Sequence, residues 1–479
     1  MRRPLWIVLA VCCVAQFMLQ LDVSIVTVAL PAMRRSLGLS GTSIQWVVNA
    51  YTLTFAGLLL LGGRTADLLG RRPVFLVGLG VFTASSLFGG LAQTGGWLIA
   101  SRAAQGIGAA FLAPATLALL TTTFVEPAER RRAVGAWAAT AASGVAVGVL
   151  VGGIVTDLLG WRWVLFVNVP IGATLLAVAT IALPEPAAPL DRRRLDLVGA
   201  VAATIGLAVL VYGTLETDVR GWGSATTIVT LAAGAALLAA FVVIEARVAE
   251  HPLVPLHLFR RRALSAANVI AITVGAAQFG TYVFLSLYLQ RTLGYSPLQS
   301  GLGVLPAGVA TMTGSLLGAP VLARLGPRRQ LTLALLLPLV GLFWLSQLGA
   351  HASYLPGILV PSALAGLGFG LSYVPLTTAA TAGVPPEQAG LASGLITSAR
   401  QIGGAFGLAA MATVAAAATH HHESATAGAL GIGYDRAFML AAATMLVGAV
   451  IATVLPGFAG QTTRAATTQR GPQLARDET

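Results

Sequence analysis

The chain has 479 residues, of which 56% are hydrophobic and only 10% charged, and its mean hydropathy is +0.82. Soluble proteins carry about 25% charged residues, so a soluble globular domain is excluded. The formal charge is +12 and every basic residue is arginine; the arginines stand in short clusters between apolar runs, the pattern of membrane topology rather than of a nucleic-acid surface.

About fourteen apolar runs reach the ~20 residues needed to cross a ~30 Å hydrocarbon layer. Six come first, at 5–32, 42–62, 73–92, 95–122, 133–155 and 160–183. The opening "MRRPLWIVLAVCC" imitates a secretory leader. Its apolar run continues to Pro31, too long for one, so a retained first membrane helix is expected. The adjacent Cys12 and Cys13 are poorly placed for a disulfide and read as small core residues. A polar stretch, "PEPAAPLDRRRLD" (184–196), precedes two spans at 197–216 and 225–245, which "EARVAEHPLVPLHLFRRR" (245–262) closes. Six final spans follow at 264–290, 298–322, 330–348, 353–381, 388–418 and 435–456, and the polar tail from Gly457 is expected to be disordered.

The fold class expected is therefore an all-α polytopic membrane protein. Residues 1–184 form a six-helix bundle, 185–263 two linking membrane helices with flanking loops, 264–457 a second six-helix bundle, and 458–479 a tail. No extramembrane segment is long enough for a sensing or catalytic module, which argues against a receptor. Of the 29 arginines, Arg34, Arg35, Arg162, Arg220, Arg291 and Arg436 fall on one side of the membrane, and Arg102 and Arg400 fall inside spans. The rest fall on the other side, which the positive-inside rule makes cytoplasmic, with both termini there. The all-arginine choice matches the codon bias of a GC-rich bacterial genome.

The two sets of six spans look like repeats. "GRTADLLGRR" (63–72) follows the second span, and a weaker echo, "PVLARLGPRR" (320–329), follows the second span of the last set. The fifth span of each set is a small-residue helix preceded by Glu129 or Glu387. In the first loop, Gly63, Asp67, Gly70, Arg71 and Arg72 are candidates for a cytoplasmic gate. Gly70 is suited to a positive-φ break, and Asp67 to bonds from a helix N-terminus or an arginine. The plain alternative is a positive-inside loop with a helix cap. In the fifth span, Gly144, Gly148 and Gly152 recur every fourth residue, with Gly153 beside them, a smooth stripe for close helix packing. "RAAQGIGAAFLAPA" (102–115) places Arg102 inside the fourth span, where a charge needs a partner or water.

"LDVSIVTVALP" (21–31), "GGRTADLLGRR", "RAAQGIGAAFLAPA" and "GVAVGVLVGG" (144–153) resemble the signature motifs of the major facilitator superfamily, and more narrowly its fourteen-helix drug:proton antiporter family. "IQWVVNAYTL" (44–53), "DLLGWRWVLFVNVPIG" (157–172), "GYSPLQSG" (294–301) and "SARQIGG" (398–404) resemble its actinobacterial members of the multidrug and antibiotic efflux type. Two positions depart from the pattern: Val149 stands where a proline is common, and Ala323 where the second loop would carry an aspartate. The resemblance implies two six-helix bundles plus two extra helices, and proton-driven export of drugs, antibiotics or other amphipathic compounds by alternating access. It also implies a cytoplasmic-membrane protein, monomeric, with a small organic substrate, protons and the bilayer as partners. No nucleic acid, metal or bound cofactor is expected beyond the proton gradient, and no enzyme activity.

The resemblance also places spans one and four in one half. Asp22 is about 25 Å along the first span and Arg102 about 10 Å into the fourth, so both lie roughly 10 Å from the outer boundary. Asp22 is expected to carry the coupled proton, with Arg102 tuning it or relaying its proton; a static buried pair joining two helices is the alternative. The substrate path is expected between the two halves. Gln45 and Asn49 share one face of the second span, as Gln278 and Tyr282 share one face of the ninth, with Gln20, Trp46, Gln105 and Phe279 as companions. Arg400 lies near mid-membrane, either meeting an anionic substrate or bonding backbone carbonyls. "HHHE" (420–423) reads as a solvated loop rather than a metal site. No Walker loop is present for an ATP-driven pump. A proton-coupled importer and a non-transporting sensor or scaffold are the competing readings.

Overall fold

A computed structural model describes residues 5–124, 126–183, 196–248, 252, 256–349, 352–382, 384, 389–420 and 427–454. Among these, the regular elements are helices: α1 (Leu5–Leu37), α2 (Gly41–Leu69), α3 (Arg71–Gly90), α4 (Gly95–Thr123), α5 (Pro127–Leu158), α6 (Arg162–Phe166), α7 (Asn168–Ala182), α8 (Leu197–Arg220), α9 (Ala225–Val243), α10 (Arg262–Arg291), α11 (Pro297–Leu345), α12 (Val360–Thr381), α13 (Ala389–His420) and α14 (Ala427–Val454). The 184–195 linker, Glu387, "HHE" (421–423) and the tail from Gly457 lie outside the described residues.

Among the described residues eleven helices are long and apolar enough to cross a membrane, and Val147–Leu158 and Val198–Thr214 are shorter apolar stretches; the expected spans do not map one for one onto the helices. The sixth span is α6 and α7 in tandem, and the tenth and eleventh run on as α11 through Gly326, whose φ of 72° is non-helical. Gly326 sits in the "PVLARLGPRR" echo, and its counterpart Gly70, between α2 and α3, has φ 93°. Both loops of the sequence repeat thus turn on a glycine in a region L side chains rarely adopt. The first span runs past Pro31 to Leu37, because a proline gives up one hydrogen bond without ending a helix whose neighbours hold it. Its end is closed by Arg34, which donates to the Leu39 carbonyl through Nε at 3.1 Å.

The first six spans pack as one bundle and the last six as another. α4 is drawn close to its neighbours by two glycines: Gly106 lies against the α2 backbone at Tyr51, and Gly108 against the α3 backbone at Phe82. Thr54 of α2 completes that contact, donating to the Ala103 carbonyl at 2.9 Å. The extra helices are not merely peripheral. α8 lies across the seam between the halves, with Thr204 against Gly57 of α2, while Thr413 of α13 donates to the Thr214 carbonyl of α8 at 3.2 Å. α9 rests on α8 and is largely exposed.

The halves meet along much of their length, at Leu60 of α2 against Gly394 of α13 as well as nearer the other end, and α1 divides between two apolar clusters. One apolar cluster mixes α1 residues from Leu21 to Met33 with α10, α11, α12, α13 and α14. A second contains Val8 to Leu19 of α1 and the neighbouring ends of α2, α3, α4 and α7, all from the first half. The α1 part of the shared core lies toward the arginine-poor end. There Gln290 of α10 donates to the Val28 carbonyl of α1 at 3.1 Å.

Candidate functional site

Asp22 is fully buried on α1 and Arg102 is 2% exposed on α4. Arg102 Nη1 lies 2.7 Å from Asp22 Oδ2. The other carboxylate oxygen, Oδ1, accepts from Gln105 Nε2 and from Asn168 Nδ2, each at 2.8 Å. Ser86 Oγ accepts from both of those amides, at 3.2 and 3.1 Å, and donates to the Leu165 carbonyl at 2.9 Å. Arg102 also donates to the Val47 carbonyl through Nε at 3.1 Å and to Gln105 Oε1 at 2.5 Å, and its guanidinium stands 4.5 Å from the Tyr51 ring centroid.

This arrangement answers why a carboxylate survives among apolar helices. A lone buried charge is expelled or neutralised, whereas a paired charge with its remaining lone pairs satisfied is tolerated. The network joins α1, α2, α3, α4, α6 and α7, in the third of the bundle nearer the arginine-poor end. One acceptor is left over: Asn168 Oδ1 is buried without a partner. Gln105, expected at the substrate path, is instead a ligand of Asp22. Asn168, Ser86 and Tyr51 were absent from the sequence expectation; of these, only Asn168 carried a signal, a lone amide inside the apolar run "VLFVNVPIG".

The glycine stripe of α5 lies on α1, immediately beside Asp22. A Cβ at Gly144 would stand 2.8 Å from the Phe17 carbonyl oxygen, at Gly148 2.8 Å from that of Leu21, and at Gly152 2.9 Å from that of Ile25. Gly153 faces the other half, where a Cβ would stand 2.8 Å from the Pro297 carbonyl oxygen and 3.0 Å from Leu298 Cα. The stripe therefore does two jobs: three glycines seat α1, and one seats α11. The Val149 carbonyl oxygen would lie 2.8 Å from a Cβ at Gly301.

The halves meet along two seams. α5 meets α11 through Gly153 and through Ser143, which donates to Met312 Sδ at 3.7 Å. α2 meets α13, where Leu60 lies against Gly394, and Leu53 against Ala405 and Ala409. Between these seams, the second half carries a polar group. Gln278 Nε2 donates to the Tyr373 hydroxyl at 2.8 Å, and the Tyr282 and Thr311 hydroxyls stand 2.7 Å apart. The Arg400 guanidinium lies 4.3 Å from the Tyr373 ring centroid. Phe279 is held against Gly404. Tyr373 and Thr311 were absent from the sequence expectation.

The remaining candidates fall as follows. The Trp46 ring packs at 6.4 Å from Tyr212 of α8 and against the cluster in which Leu53 of α2 meets Ala405 and Ala409 of α13. Gln45 is buried, and Gln20 flanks Gly144. Asn49 is fully buried with neither amide atom partnered. In the gate loop, Gly70 makes the turn, Gly63 lies within ordinary contact of Pro114, and Arg72 donates to the Thr180 carbonyl of α7, in its own half. The side chain of Asp67 is outside the described residues. Among the described residues no group of three or more metal-ligating side chains occurs.

A family profile described as Major Facilitator Superfamily matches residues 12–408. The chain is 46% identical to the Cephamycin export protein CmcT of Amycolatopsis lactamdurans over 95% of this chain and 93% of that one. It is 41% identical to the Puromycin resistance protein pur8 of Streptomyces alboniger over 94% and 91%. Among solved structures, a D-xylose-proton symporter aligns with a TM-score of 0.67 at 14% identity, over 94% of this chain and 98% of that one; this likeness concerns the fold alone.

Proposed function

Since the chain belongs to the major facilitator superfamily, we propose that it is a proton-coupled exporter of drugs, antibiotics or related amphipathic organic compounds across the cytoplasmic membrane. The export and resistance proteins to which it is similar over nearly their whole length support the direction and the substrate class. The observation that carries the coupling is the buried Asp22–Arg102 pair with its amide ligands. An intramembrane ionisable group with a named partner is a functional site by default.

The arginine-rich end is cytoplasmic, with both termini there. The α1 segment from Leu21 to Met33, packed against the second half, then lies toward the external side. Asp22 takes up a proton when the bundles rock apart at the outer end. Protonation discharges the carboxylate and loosens Arg102. The orphan acceptor Asn168 Oδ1 can then accept a hydrogen bond from the new carboxyl O–H once the amide turns. Return of the proton to the cytoplasm restores the pair. Arg72 in the gate loop and the α5 glycine stripe serve the rocking, the first by fixing α7 and the second by letting α1 slide on α5. Gln20, Gln45, Asn49, Gln278, Phe279 and Tyr282 contribute to the substrate path. The protein works as a monomer, draws on the proton gradient without a bound cofactor, and leaves its substrate chemically unchanged.

The test is flux in everted membrane vesicles with an acidified lumen, over a panel of anionic and cationic dyes and antibiotics. Exchange of lumenal protons for substrate supports the exporter. Substrate leaving the lumen together with protons would establish an importer instead. No flux with any compound would favour a sensor or scaffold.

A further inference from the structure

Arg400 is the one mid-span charge that the coupling pair does not use. It lies eleven residues into α13, about 17 Å along the helix and near the middle of a ~30 Å layer. Its backbone is pinned. The Arg400 carbonyl lies against Gly275 of α10, and Gly403 and Gly407 bring the next turns equally close to Ile272 and Ala276. The guanidinium is laid on the Tyr373 ring, and Tyr373 is held by Gln278. Nε is buried with no hydrogen-bond partner. A guanidinium at this depth ordinarily meets a carboxylate or a row of carbonyls. Among the described residues it meets neither. Ion pairs among the described residues include Arg102–Asp22 and Arg220–Glu216. Asp22 is committed to Arg102 and its amides, while Glu129, Asp157, Glu216, Glu245 and Asp435 stand near helix ends.

We propose that Arg400, pre-set on Tyr373 between the two seams, is an anion subsite, and that the compound carried by this protein bears a carboxylate or another single anionic group. The inference rests on the exporter reading and deepens it. With the guanidinium face on Tyr373 and Nε unpartnered, a carboxylate is the group that two parallel N–H donors of a guanidinium match. The Tyr282 and Thr311 hydroxyls and the Gln278 amide supply neutral polar contacts close by, and Phe279 an apolar wall. The subsite is built before the ligand arrives, so little ordering is needed on binding. A cationic compound would meet an uncompensated like charge in a medium of low dielectric.

The experiment measures binding of two dyes that share a xanthene skeleton, fluorescein (anionic, carboxylate-bearing) and the cationic ester rhodamine 6G. Fluorescence polarisation is read with the purified full-length protein in detergent. Wild type is expected to bind fluorescein about tenfold more tightly than rhodamine 6G, or better. Arg400→Gln is expected to abolish that preference by weakening fluorescein about tenfold, with rhodamine 6G, relieved of the like charge, bound as tightly as before or more tightly. Arg400→Lys keeps the sign of the preference, and serves as the readout if the glutamine variant fails to fold. The proposal is overturned if wild type does not bind fluorescein, if it binds rhodamine 6G as tightly, or if Arg400→Gln weakens both dyes alike. Binding is read without a gradient, so failure of proton coupling would not produce any of these results. Export of rhodamine 6G by a protein with no anion preference would overturn the subsite and leave the exporter standing.

Discussion

Replacement of Gly148 by alanine examines the contact on which Asp22 is carried. A Cβ there would stand 2.8 Å from the Leu21 carbonyl oxygen and 3.1 Å from Leu21 Cα. Carbon and oxygen ordinarily approach no closer than about 3.3 Å, so α1 must retreat by about 0.5 Å. Nearer still is Ser24 Oγ, which must turn aside from its bonds to the Gln20, Leu21 and Gly144 carbonyls; the Leu21 backbone behind it cannot rotate away, and overpacking of this kind costs about 1–3 kcal/mol. Leu21 is the residue before Asp22, so the retreat also stretches the 2.7 Å Asp22–Arg102 contact. The control lies on the same helix: a Cβ at Gly135 meets nothing within 4 Å. Gly135→Ala should therefore be neutral or stabilise by about 0.5–1 kcal/mol through helix propensity. The assay is thermal unfolding in detergent, paired with proton-coupled flux in vesicles. Gly148→Ala should unfold earlier and transport more slowly than Gly135→Ala. If the two variants match in both readouts, α1 and α5 do not meet backbone to backbone and the placement of Asp22 is wrong.

Arg102→Gln should destabilise by about 3–5 kcal/mol, since it leaves the fully buried Asp22 carboxylate uncompensated, whereas the double variant Asp22→Asn/Arg102→Gln should recover much of that stability without recovering coupling; thermal unfolding in detergent and vesicle flux read the two effects separately. Asn168→Ala should remove about 1.5–3 kcal/mol, the worth of a hydrogen bond to a charged group, and should alter the pH dependence of flux where a packing defect would not. Gly153→Leu should force α5 from the start of α11 and open the arginine-poor end. Labelling of a cysteine placed at Ser300, in a protein whose buried Cys12 and Cys13 have been replaced, should become faster with an impermeant thiol reagent. Unchanged labelling would mean that this seam does not close the external mouth.

Much of the fold was legible because a bilayer restricts the choices. Run length fixed the spans, arginine asymmetry implied which ends belong together, and the "GRTADLLGRR" echo located two turns made by positive-φ glycines. Asp22 and Arg102 were legible as a pair because charges are scarce in spans and the depths matched. The rest of the site was not, since its contacts join residues far apart in the chain. Asn168 reaches Asp22 across 146 positions, and Ser86 reaches Leu165 across 79. Gln105 was recognised as an interior polar residue, but helical spacing does not say whether a face meets a substrate or a neighbouring carboxylate. For the same reason the contact of Trp46 with α8 was not legible: α2 is buried on several sides, and periodicity cannot name which neighbour each side meets. Arg400 posed two alternatives in the sequence, and only the placement of Tyr373, 27 residues away on α12, bears on them.

The central claim is that Asp22 carries the coupled proton. Its most direct test is proton movement in everted vesicles under an imposed pH gradient, comparing wild type with Asp22→Asn and using Asp22→Asn/Arg102→Gln as the folded control. The account predicts that addition of a transported compound releases protons from the wild-type lumen and from neither variant, although the double variant still binds the compound. Equal proton release by all three would contradict it and leave Asp22 and Arg102 as a structural pair.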